Sequence, residues 1–307
     1  MANRTINYSI EISKAQEITE IIQEDGYNYT VKFDTVWKNN VELKGLHVRG
    51  EKNVAPTLYY TDEDVLELAK RIEAIIDKGI PEFQIVDLFT HEYVEKNIYP
   101  VLISDTTYNR ENLINNDQPF DHLICSESET DDGLLIILKI KVFDNTDPGA
   151  HASITLTNHH LDLAGFTFSK ALDQAIQNVN DDISIVSMSQ LMREMLGAPW
   201  EDLGLDPVPE EDDTIYVMTN MSRFHGANTI LSHDALEMLA NKLGTNDFYI
   251  LPSSIHEVLA VRGNDDPYLA KSLEDMVKEV NASEVKPEER LCDGVFHYEN
   301  GSLVRVA

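Results

Sequence analysis

The sequence predicts an α+β protein of two globular parts, in which mainly antiparallel sheets are covered by helices. Apolar and polar residues alternate on either side of short polar turns, which is typical of antiparallel hairpins. Other segments repeat apolar residues at helical spacing. Hydrophobic residues make up 42% of the 307 residues, which is enough to form a core that offsets the entropy of folding.

The first part of the chain contains a predicted hairpin followed by a helix. Residues 27–37 and 41–49 alternate in polarity around a Lys-Asn-Asn turn, so one face of each strand should be buried. The segment 62–79 has helical spacing, with Asp62 as its N-cap and Gly79 at its end. Further helices are predicted at 84–96, 167–178 and 187–196, and strands at 122–127, 134–143 and 152–157.

The second part has a more regular rhythm of strands and helices. It ends in a hairpin around Asn300 and Gly301, and Asn-Gly is the strongest short hairpin signal. The predicted order is a strand at 215–220, a helix at 232–244, strands at 248–252 and 257–261, a helix at 266–281, and strands at 295–299 and 302–306.

A polar segment at 204–213, with the sequence GLDPVPEEDD, predicts a linker because it combines Gly, Pro and five acids without apolar periodicity. The predicted domains are therefore an acidic N-terminal domain, 1–203, and a C-terminal domain, 214–307. Residues 1–213 hold 40 acidic and 16 basic residues, against 14 and 8 in the remainder. Most of the excess acidity thus precedes the second domain.

The charge of the whole chain limits the partners that we expect. It has 54 acidic and 24 basic residues, for a formal net charge of −30. Direct binding to nucleic acid is disfavoured, since it requires clustered Lys and Arg. A basic partner, a divalent cation or a role in solubility alone remains open.

The chain lacks the features of a membrane or secreted protein. No apolar run approaches the roughly 18 residues that span a bilayer, and the N-terminus has no signal-peptide pattern. Cys125 and Cys292 are the only cysteines, which favours a reducing compartment. We therefore expect a cytoplasmic protein.

Several segments also resemble a known family. They are KNNVELKGLHVR (38–49), NVAPTLYY (53–60), FYILPSSIHEVLAV (248–261) and MVKEVNASEVKPEERLCDGVFHY (276–298). Together they resemble the uncharacterised bacterial family known as domain of unknown function 5688, with departures at Val41 and Cys292. The resemblance implies a shared fold and an origin in bacterial chromosomes or mobile elements. It supplies no reaction and no catalytic residues.

The segment PSSIHEV, at 252–258, is the strongest candidate for chemistry. Ser253 or Ser254 would be the nucleophile of a hydrolase, His256 its general base and Glu257 the orienting acid. However, neighbouring residues of an extended chain point to opposite faces, which opposes cooperation between His256 and Glu257. The alternative is a turn in which the serines satisfy backbone groups and His256 bonds locally, and this is the interpretation that we favour.

Metal and nucleotide sites are not supported by the spacing of their residues. His91 and Glu95 share a helix face, but a zinc-protease helix needs a second histidine at Glu95, so we interpret them as a solvated face. In NHHLD, His159 and His160 with Asp162 offer at most two ligands on one strand face, which favours a turn. No phosphate-binding glycine motif is present, and we predict neither a metal nor a cofactor.

Our leading hypothesis is therefore a non-enzymatic binding or regulatory protein. One form of it is a nucleic-acid mimic that binds a basic protein, such as a nucleic-acid-binding protein, through its carboxylates. The binding residues we expect are those of an acidic loop, Glu127, Glu129, Asp131 and Asp132, because loops tolerate dense like charge. The alternatives are that the acidity serves solubility alone, or that the chain is the hydrolase described above.

Overall fold

The computed structural model describes residues 6–51, 55–79, 85–123, 133–142, 152–196, 214–252, 254–264 and 266–306. Its helices and open antiparallel sheets confirm the predicted α+β class. The chain divides into two compact units, one built on residues 6–90 and the other on residues 91–142 and 152–306. Among the described residues, no helix has the length and apolar character needed to cross a membrane.

The first unit packs two helices on one three-stranded sheet. The strands run antiparallel in the order β1-β2-β3. Apolar side chains of all five elements form its core, including Ile18, Leu46, Leu58 and Ile72. The elements are α1 (Tyr8–Glu24), β1 (Thr30–Lys38), β2 (Val41–Arg49), β3 (Thr57–Tyr60), α2 (Val65–Asp77) and a 3-10 turn (Ile85–Phe89).

The predicted hairpin is confirmed as β1 and β2. Lys38 pairs with Val41, so the turn has two residues, and Asn40 adopts a left-handed conformation with φ 65°. Asparagine tolerates that conformation better than most residues, and a two-residue turn of this kind matches the twist of the strands.

The helix predicted at 62–79 is also confirmed, but its cap is different. The side chain of Asp64, not Asp62, accepts a hydrogen bond from the Glu67 amide at 2.9 Å. Gly79, with φ 89°, follows the end of the helix, as expected for the residue that terminates it.

One buried acid lies in the core of the first unit and is paired. Glu11 of α1 is 5% exposed. It accepts hydrogen bonds from Lys44 Nζ at 2.6 Å and from the Tyr60 hydroxyl at 2.7 Å. Burial raises the pKa of Glu11, but the bonds from Lys44 and Tyr60 outweigh it and leave the pKa lowered.

The second unit contains most of the helices and strands. The first half comprises α3 (His91–Asn97), β4 (Ile98–Asp105), α4 (Thr107–Asn115), β5 (Phe120–His122), β6 (Gly133–Val142), β7 (Ala152–Thr155), α5 (Asn158–Ala164), α6 (Phe168–Asn180), β8 (Ile183–Ser187) and α7 (Met188–Leu196). The second half comprises β9 (Ile215–Asn220), a 3-10 helix (Gly226–Leu231), α8 (His233–Leu243), β10 (Asp247–Leu251), β11 (Val258–Arg262), α9 (Leu269–Ser283), β12 (Phe296–Glu299) and β13 (Ser302–Arg305).

Two antiparallel sheets share one core in this unit. In the smaller sheet β6 pairs with β4, β5 and β7, and the larger has the order β13-β12-β10-β11-β9-β8. Leu102 and Ile136 of the smaller sheet pack in the same cluster as Met218 and Phe248 of the larger one. The elements predicted for the second part of the chain are all present.

Two of the earlier predictions are altered in detail. The helix predicted at 84–96 is divided at Thr90 into the 3-10 turn and α3. Of the strand predicted at 122–127, only His122 lies in an observed strand, β5, while Leu123 does not and residues 124–127 lie outside the described residues.

The compact units do not coincide with the predicted domains 1–203 and 214–307. The predicted linker, 204–213, lies outside the described residues, but β8 before it and β9 after it pair in one sheet. The units instead divide between residues 90 and 91. Polar composition indicates where a chain is exposed, whereas strand pairing and the shared core decide which segments form one unit.

Candidate functional site

The predicted serine-histidine turn connects β10 to β11. Ser254 Oγ accepts a hydrogen bond from the His256 amide at 3.1 Å. His256 Nδ1 accepts one from the His225 amide at 3.3 Å. Ser253 lies outside the described residues. Both polar side chains therefore accept hydrogen bonds from backbone amides.

This bonding assigns the histidine a particular tautomer. Because Nδ1 of His256 accepts a hydrogen bond, the proton of the neutral ring lies on Nε2, where the ring is a donor and not a base. In the part of the chain that the structure describes, neither Ser254 nor Glu257 hydrogen-bonds to the His256 ring. These residues are therefore neighbours in the sequence, but they do not form a pair of nucleophile and base in the fold.

The ring of His256 instead lies in an aromatic cluster. The Phe224 ring is 4.0 Å from the His225 ring and 5.4 Å from that of His256, measured between centroids. The two imidazoles are parallel, with centroids 6.0 Å apart. Tyr99 completes the group, with its hydroxyl 3.3 Å from His225 Nδ1.

Burial keeps the Tyr99 hydroxyl of that pair neutral. Burial raises the pKa of Tyr99 to about 12, because desolvation penalises the phenolate. The hydroxyl therefore keeps its proton at neutral pH and can donate to His225.

The loop that carries His225 is held in an unusual backbone conformation. Arg223 and His225 have φ values of 54° and 59°, in the left-handed region that most residues avoid. Asn220 closes the loop, because its side chain donates to the Phe224 carbonyl at 2.8 Å and accepts from the Phe224 amide at 3.1 Å. A Cβ on Gly226 would lie 2.1 Å from Thr219 Oγ1, so only glycine fits there.

The two loops are also joined directly. Thr219 Oγ1 donates to the His256 carbonyl at 2.7 Å, and the Ala227 amide donates to the Ile255 carbonyl at 3.3 Å. The cluster thus fastens the end of β9 to the turn before β11. The residues of this cluster hold the two loops together by ring packing and hydrogen bonds.

The histidines of NHHLD lie on a helix, so the predicted turn is wrong. Thr157 is the N-cap of α5, with its side chain accepting from the His160 amide while His160 Nδ1 accepts from the Thr157 amide at 3.2 Å. This reciprocal cap starts a helix where strand alternation had been assumed. Burial, and then the charge of His159, lower the pKa of His160.

His91 and Glu95 are both exposed on α3, as expected of a solvated face, and His91 makes two specific contacts as well. Its Nδ1 donates to the Ala164 carbonyl at 2.7 Å, and its ring stacks on Phe166 at 4.5 Å between centroids. Within the described ranges, no group of three His, Cys, Asp or Glu side chains is placed to hold a metal ion.

Four carboxylates lie at or near the C-terminal ends of α1 and α2. They are Glu24, Asp25, Glu73 and Asp77, and neither helix has a basic residue in its last turn, although Lys78 is the C-cap of α2. Tyr27 donates its hydroxyl to Asp77 Oδ1 at 2.9 Å. Burial, a hydrogen bond with Asp25 and the charges of Asp25 and Asp77 raise the pKa of Glu73, against a smaller lowering by the charge of Lys70, so Asp25, Glu73 and Asp77 act on one another. We call these four residues the helix-end cluster.

Other carboxylates contrast with the helix-end cluster because they have basic partners. Asp105, which is buried, bonds to Arg110 and accepts from His122 Nδ1 at 3.0 Å. By contrast, no ion pair within 4.0 Å involves any of the four cluster residues in the described part of the chain. The predicted binding loop with Glu127, Glu129, Asp131 and Asp132 lies outside the described residues.

Comparison with known families gives one match. The profile of a family of unknown function, DUF5688, matches residues 13–300. The chain belongs to this family. No curated protein and no solved structure matches it.

The partner of His256 and the helix-end cluster are not among the site residues predicted from the sequence of this DUF5688 protein. His225 is 31 residues before His256 and meets it only because β9 and β11 pair. The cluster had a visible signal, since acids in the last turn of a helix oppose its dipole. The position of Glu24 and Asp25 at a helix end could not be recognised, because α1 itself was not predicted from the sequence.

Proposed function

We propose that this DUF5688 protein is a non-enzymatic binding protein that takes a basic partner on an acidic surface. The observation that carries the proposal is the helix-end cluster. Asp25, Glu73 and Asp77 act on one another, and none of the four carboxylates is in an ion pair within 4.0 Å in the described part of the chain, whereas the buried acids Glu11 and Asp105 are paired.

The position of the cluster is electrostatically unfavourable in the isolated chain. Like charges repel one another, and the carbonyl end of a helix carries a partial negative charge that disfavours acids in its last turn. Lys70 and the C-cap Lys78 offset only part of this effect at α2. A partner that brought Lys or Arg to this surface would remove both penalties. This arrangement of carboxylates therefore lowers the stability of the isolated chain and would favour the binding of a basic partner.

The net charge of −30 gives the whole chain an electrostatic field of negative sign. A field of one sign attracts an oppositely charged partner over a distance and speeds their encounter. Nucleic-acid-binding proteins present such basic surfaces, so mimicry of nucleic-acid charge in a bacterial host or mobile element is the form of the proposal we favour. The acidic loop at 124–132 would add to the same field.

Affinity capture with matched variants tests this proposal. The immobilised chain is exposed to a bacterial lysate at about 0.05 M salt and eluted at about 0.5 M, over which the Debye length falls from roughly 14 to 4 Å. One variant replaces the helix-end cluster by its amides (Glu24→Gln, Asp25→Asn, Glu73→Gln and Asp77→Asn). The control makes the same charge change at exposed sites elsewhere (Glu42→Gln, Glu67→Gln, Glu111→Gln and Glu279→Gln).

We expect mass spectrometry to identify a basic protein that the wild type and the control retain and that the cluster variant retains weakly. Equal retention by the cluster variant and the control would show that the cluster is not the binding surface. Recovery of partners that salt does not elute would contradict the electrostatic proposal.

A further inference from the structure

An acid and a histidine meet at one edge of the smaller sheet in the second unit. Strands β4 and β5 lie on either side of β6, and both run antiparallel to it. Their last residues, Asp105 and His122, therefore lie at the edge where β6 begins, and Gly133 of β6 pairs with Asp105. Because Gly133 has no side chain, none separates the two at that position, and His122 Nδ1 donates to Asp105 Oδ2 at 3.0 Å.

The carboxylate that orients the histidine is buried and fixed in place. The side chain of Asp105 is 8% exposed, and its other oxygen, Oδ1, bonds to Arg110 Nε. The preceding residue, Ser104, donates its hydroxyl to the Arg290 carbonyl at 2.9 Å, and its carbonyl accepts from Asn109 Nδ2 at 2.7 Å. Hydrogen bonds to the side chain of Asp105 and to the residue before it thus set its position.

The contact with Asp105 decides which nitrogen of His122 is nucleophilic. An ionised carboxylate can only accept hydrogen bonds, so the proton of the neutral ring lies on Nδ1 and the lone pair on Nε2. The His122 side chain is 47% exposed, and in the described part of the chain no hydrogen bond engages its Nε2. At His256, by contrast, the lone pair of Nδ1 is taken by a backbone amide. His122 therefore presents an accessible lone pair.

Burial of its carboxylate distinguishes this pair from other pairs of a histidine and an acid. The acids beside His47, His233 and His297 have side chains that are 67%, 61% and 56% exposed. Water weakens the field of such exposed charges, whereas a buried carboxylate acts on the ring at a lower dielectric constant. Positive charge that develops on the His122 ring during an attack is therefore stabilised by Asp105 through the Nδ1 proton.

The charges around His122 select an uncharged reaction partner. Asp105 bonds to the ring, and the Asp121 side chain accepts from the His122 amide at 2.8 Å. Arg110 balances one of these two carboxylates, so the local charge is negative, as it is for the whole chain. This field repels an anionic phosphoryl donor but does not repel an uncharged activated acyl compound such as an ester, thioester or anhydride.

We propose that His122 is a modification site that accepts an acyl group from an uncharged activated acyl donor, with Asp105 as its positioning residue. Nε2 attacks the carbonyl carbon and forms a C–N bond. The bond from that carbon to the leaving oxygen or sulfur breaks, and the leaving group keeps the electron pair and takes a proton from water. The acylated ring keeps its Nδ1 proton, which stays bonded to Asp105. Attack of water on the acyl carbon breaks the C–N bond, releases a carboxylic acid and restores His122.

Diethyl pyrocarbonate, an uncharged acyl donor, provides the probe, and peptide mass spectrometry measures its rate of reaction at each histidine at neutral pH. His91 is one internal control, because it is also exposed and its Nδ1 also donates, but to the Ala164 carbonyl instead of a carboxylate. His233 is a second control. Its side chain is 64% exposed against 47% for His122, so exposure alone would make His233 the faster of the two.

We expect His122 to react about tenfold faster than either control in the wild type, since a carboxylate that orients a histidine typically changes its function by about 10–100-fold. Asp105→Asn should slow the reaction at His122 by about tenfold or more and leave the rate at His91 unchanged. His122→Asn should abolish the fast adduct. Thermal unfolding shows whether each variant is folded.

Proton–nitrogen correlation spectra of the wild type provide a readout that needs no variant. They report which ring nitrogen carries the proton, and we expect it on Nδ1 of His122. In folded Asp105→Asn the proton should no longer be confined to Nδ1, because the amide can present a donor to the ring.

The wild-type measurements alone can overturn the proposal. A reaction at His122 no faster than at His233 would show that exposure accounts for it, and a proton on Nε2 would remove the nucleophilic lone pair. A fast reaction that persists in folded Asp105→Asn would contradict the role of Asp105. None of these results bears on the acidic surface of the first unit, which is tested separately by affinity capture.

Discussion

His256 shows how one side chain can suggest catalysis in the sequence and serve structure in the fold. Its Nδ1 is occupied by the His225 amide, and its own amide bonds to Ser254. A general base requires a free acceptor nitrogen directed at the nucleophile. The geometry therefore supports the turn interpretation that we favoured from the sequence.

Substitutions of His256 should separate a structural from a catalytic role. His256→Ala should lower the free energy of unfolding by about 1–3 kcal/mol, because the His225 amide loses its acceptor. His256→Asn should retain more stability than His256→Gln, since the Asn oxygen occupies a position close to that of Nδ1. Urea denaturation measures all three.

Partner binding of the same variants provides the second measurement. We expect it to fall only in proportion to the folded fraction. A stable, fully folded His256→Ala variant that had lost all function would favour a hydrolase with His256 at its centre.

At the scale of elements, the segments predicted well are those whose pattern is local. The hairpin of β1 and β2 and the helix α2 follow from alternation, turn residues and apolar spacing within a few residues. The strands and helices from β9 to β13 do so as well. Each of these elements has one buried and one exposed face, and that contrast is what a periodic pattern records.

In the missed elements the sequence does not record this contrast. Helix α1 places Glu11 on its buried face and has no side-chain N-cap at Asn7, so its apolar spacing is interrupted. Strand β4 is buried along its whole length and contains Pro100, so it shows no alternation. The site was missed for a related reason, because the pairing of His225 with His256 depends on the sheet that joins distant segments.

The cap of α5 gives a prediction at this scale. His160 can accept from the Thr157 amide only when its ring is neutral, and its pKa is lowered. A group whose pKa is lower in the folded state stabilises the fold above its unfolded pKa, and that contribution is lost as the pH falls. Stability should therefore decrease between about pH 7.5 and 5, starting near the ordinary histidine pKa of about 6.5.

His160→Gln tests this dependence, because Gln at this position can form the same cap without titrating. Urea denaturation at both pH values should show that the variant loses less stability than the wild type, by about 1 kcal/mol. His159→Gln removes only the smaller cause of the lowered pKa of His160, so it should reduce the dependence in part and less than His160→Gln does. An unchanged pH dependence in His160→Gln would contradict the role of this cap.

At the scale of the whole molecule, the predicted linker at 204–213 leads to a prediction about proteolysis. Exposed segments rich in Pro and acids are preferred sites of proteolysis, so limited digestion should cut between Gly204 and Thr214. The pieces would be about two-thirds and one-third of the chain. Because β8 pairs with β9, they should stay together in native size-exclusion chromatography and separate only in denaturant.

Either of two results would oppose this account of the second unit. Resistance of the segment, with cleavage elsewhere, would remove the predicted joint. Separation of the pieces under native conditions would show that the sheet does not hold them.

The most direct test of the acidic binding function is the rate at which a captured basic partner associates. The rate is measured from about 0.05 to 0.5 M salt, where screening lengths fall from roughly 14 to 4 Å. The wild type is compared with the cluster variant, its control, and a loop variant in which Glu127, Glu129, Asp131 and Asp132 are replaced by Ser and Asn. The account predicts association that slows steeply with salt, and a further slowing by the cluster and loop variants with little change in dissociation, as expected of charges that steer an encounter. A partner whose association is indifferent to salt and to both sets of substitutions would contradict it and leave the charge with a role in solubility alone.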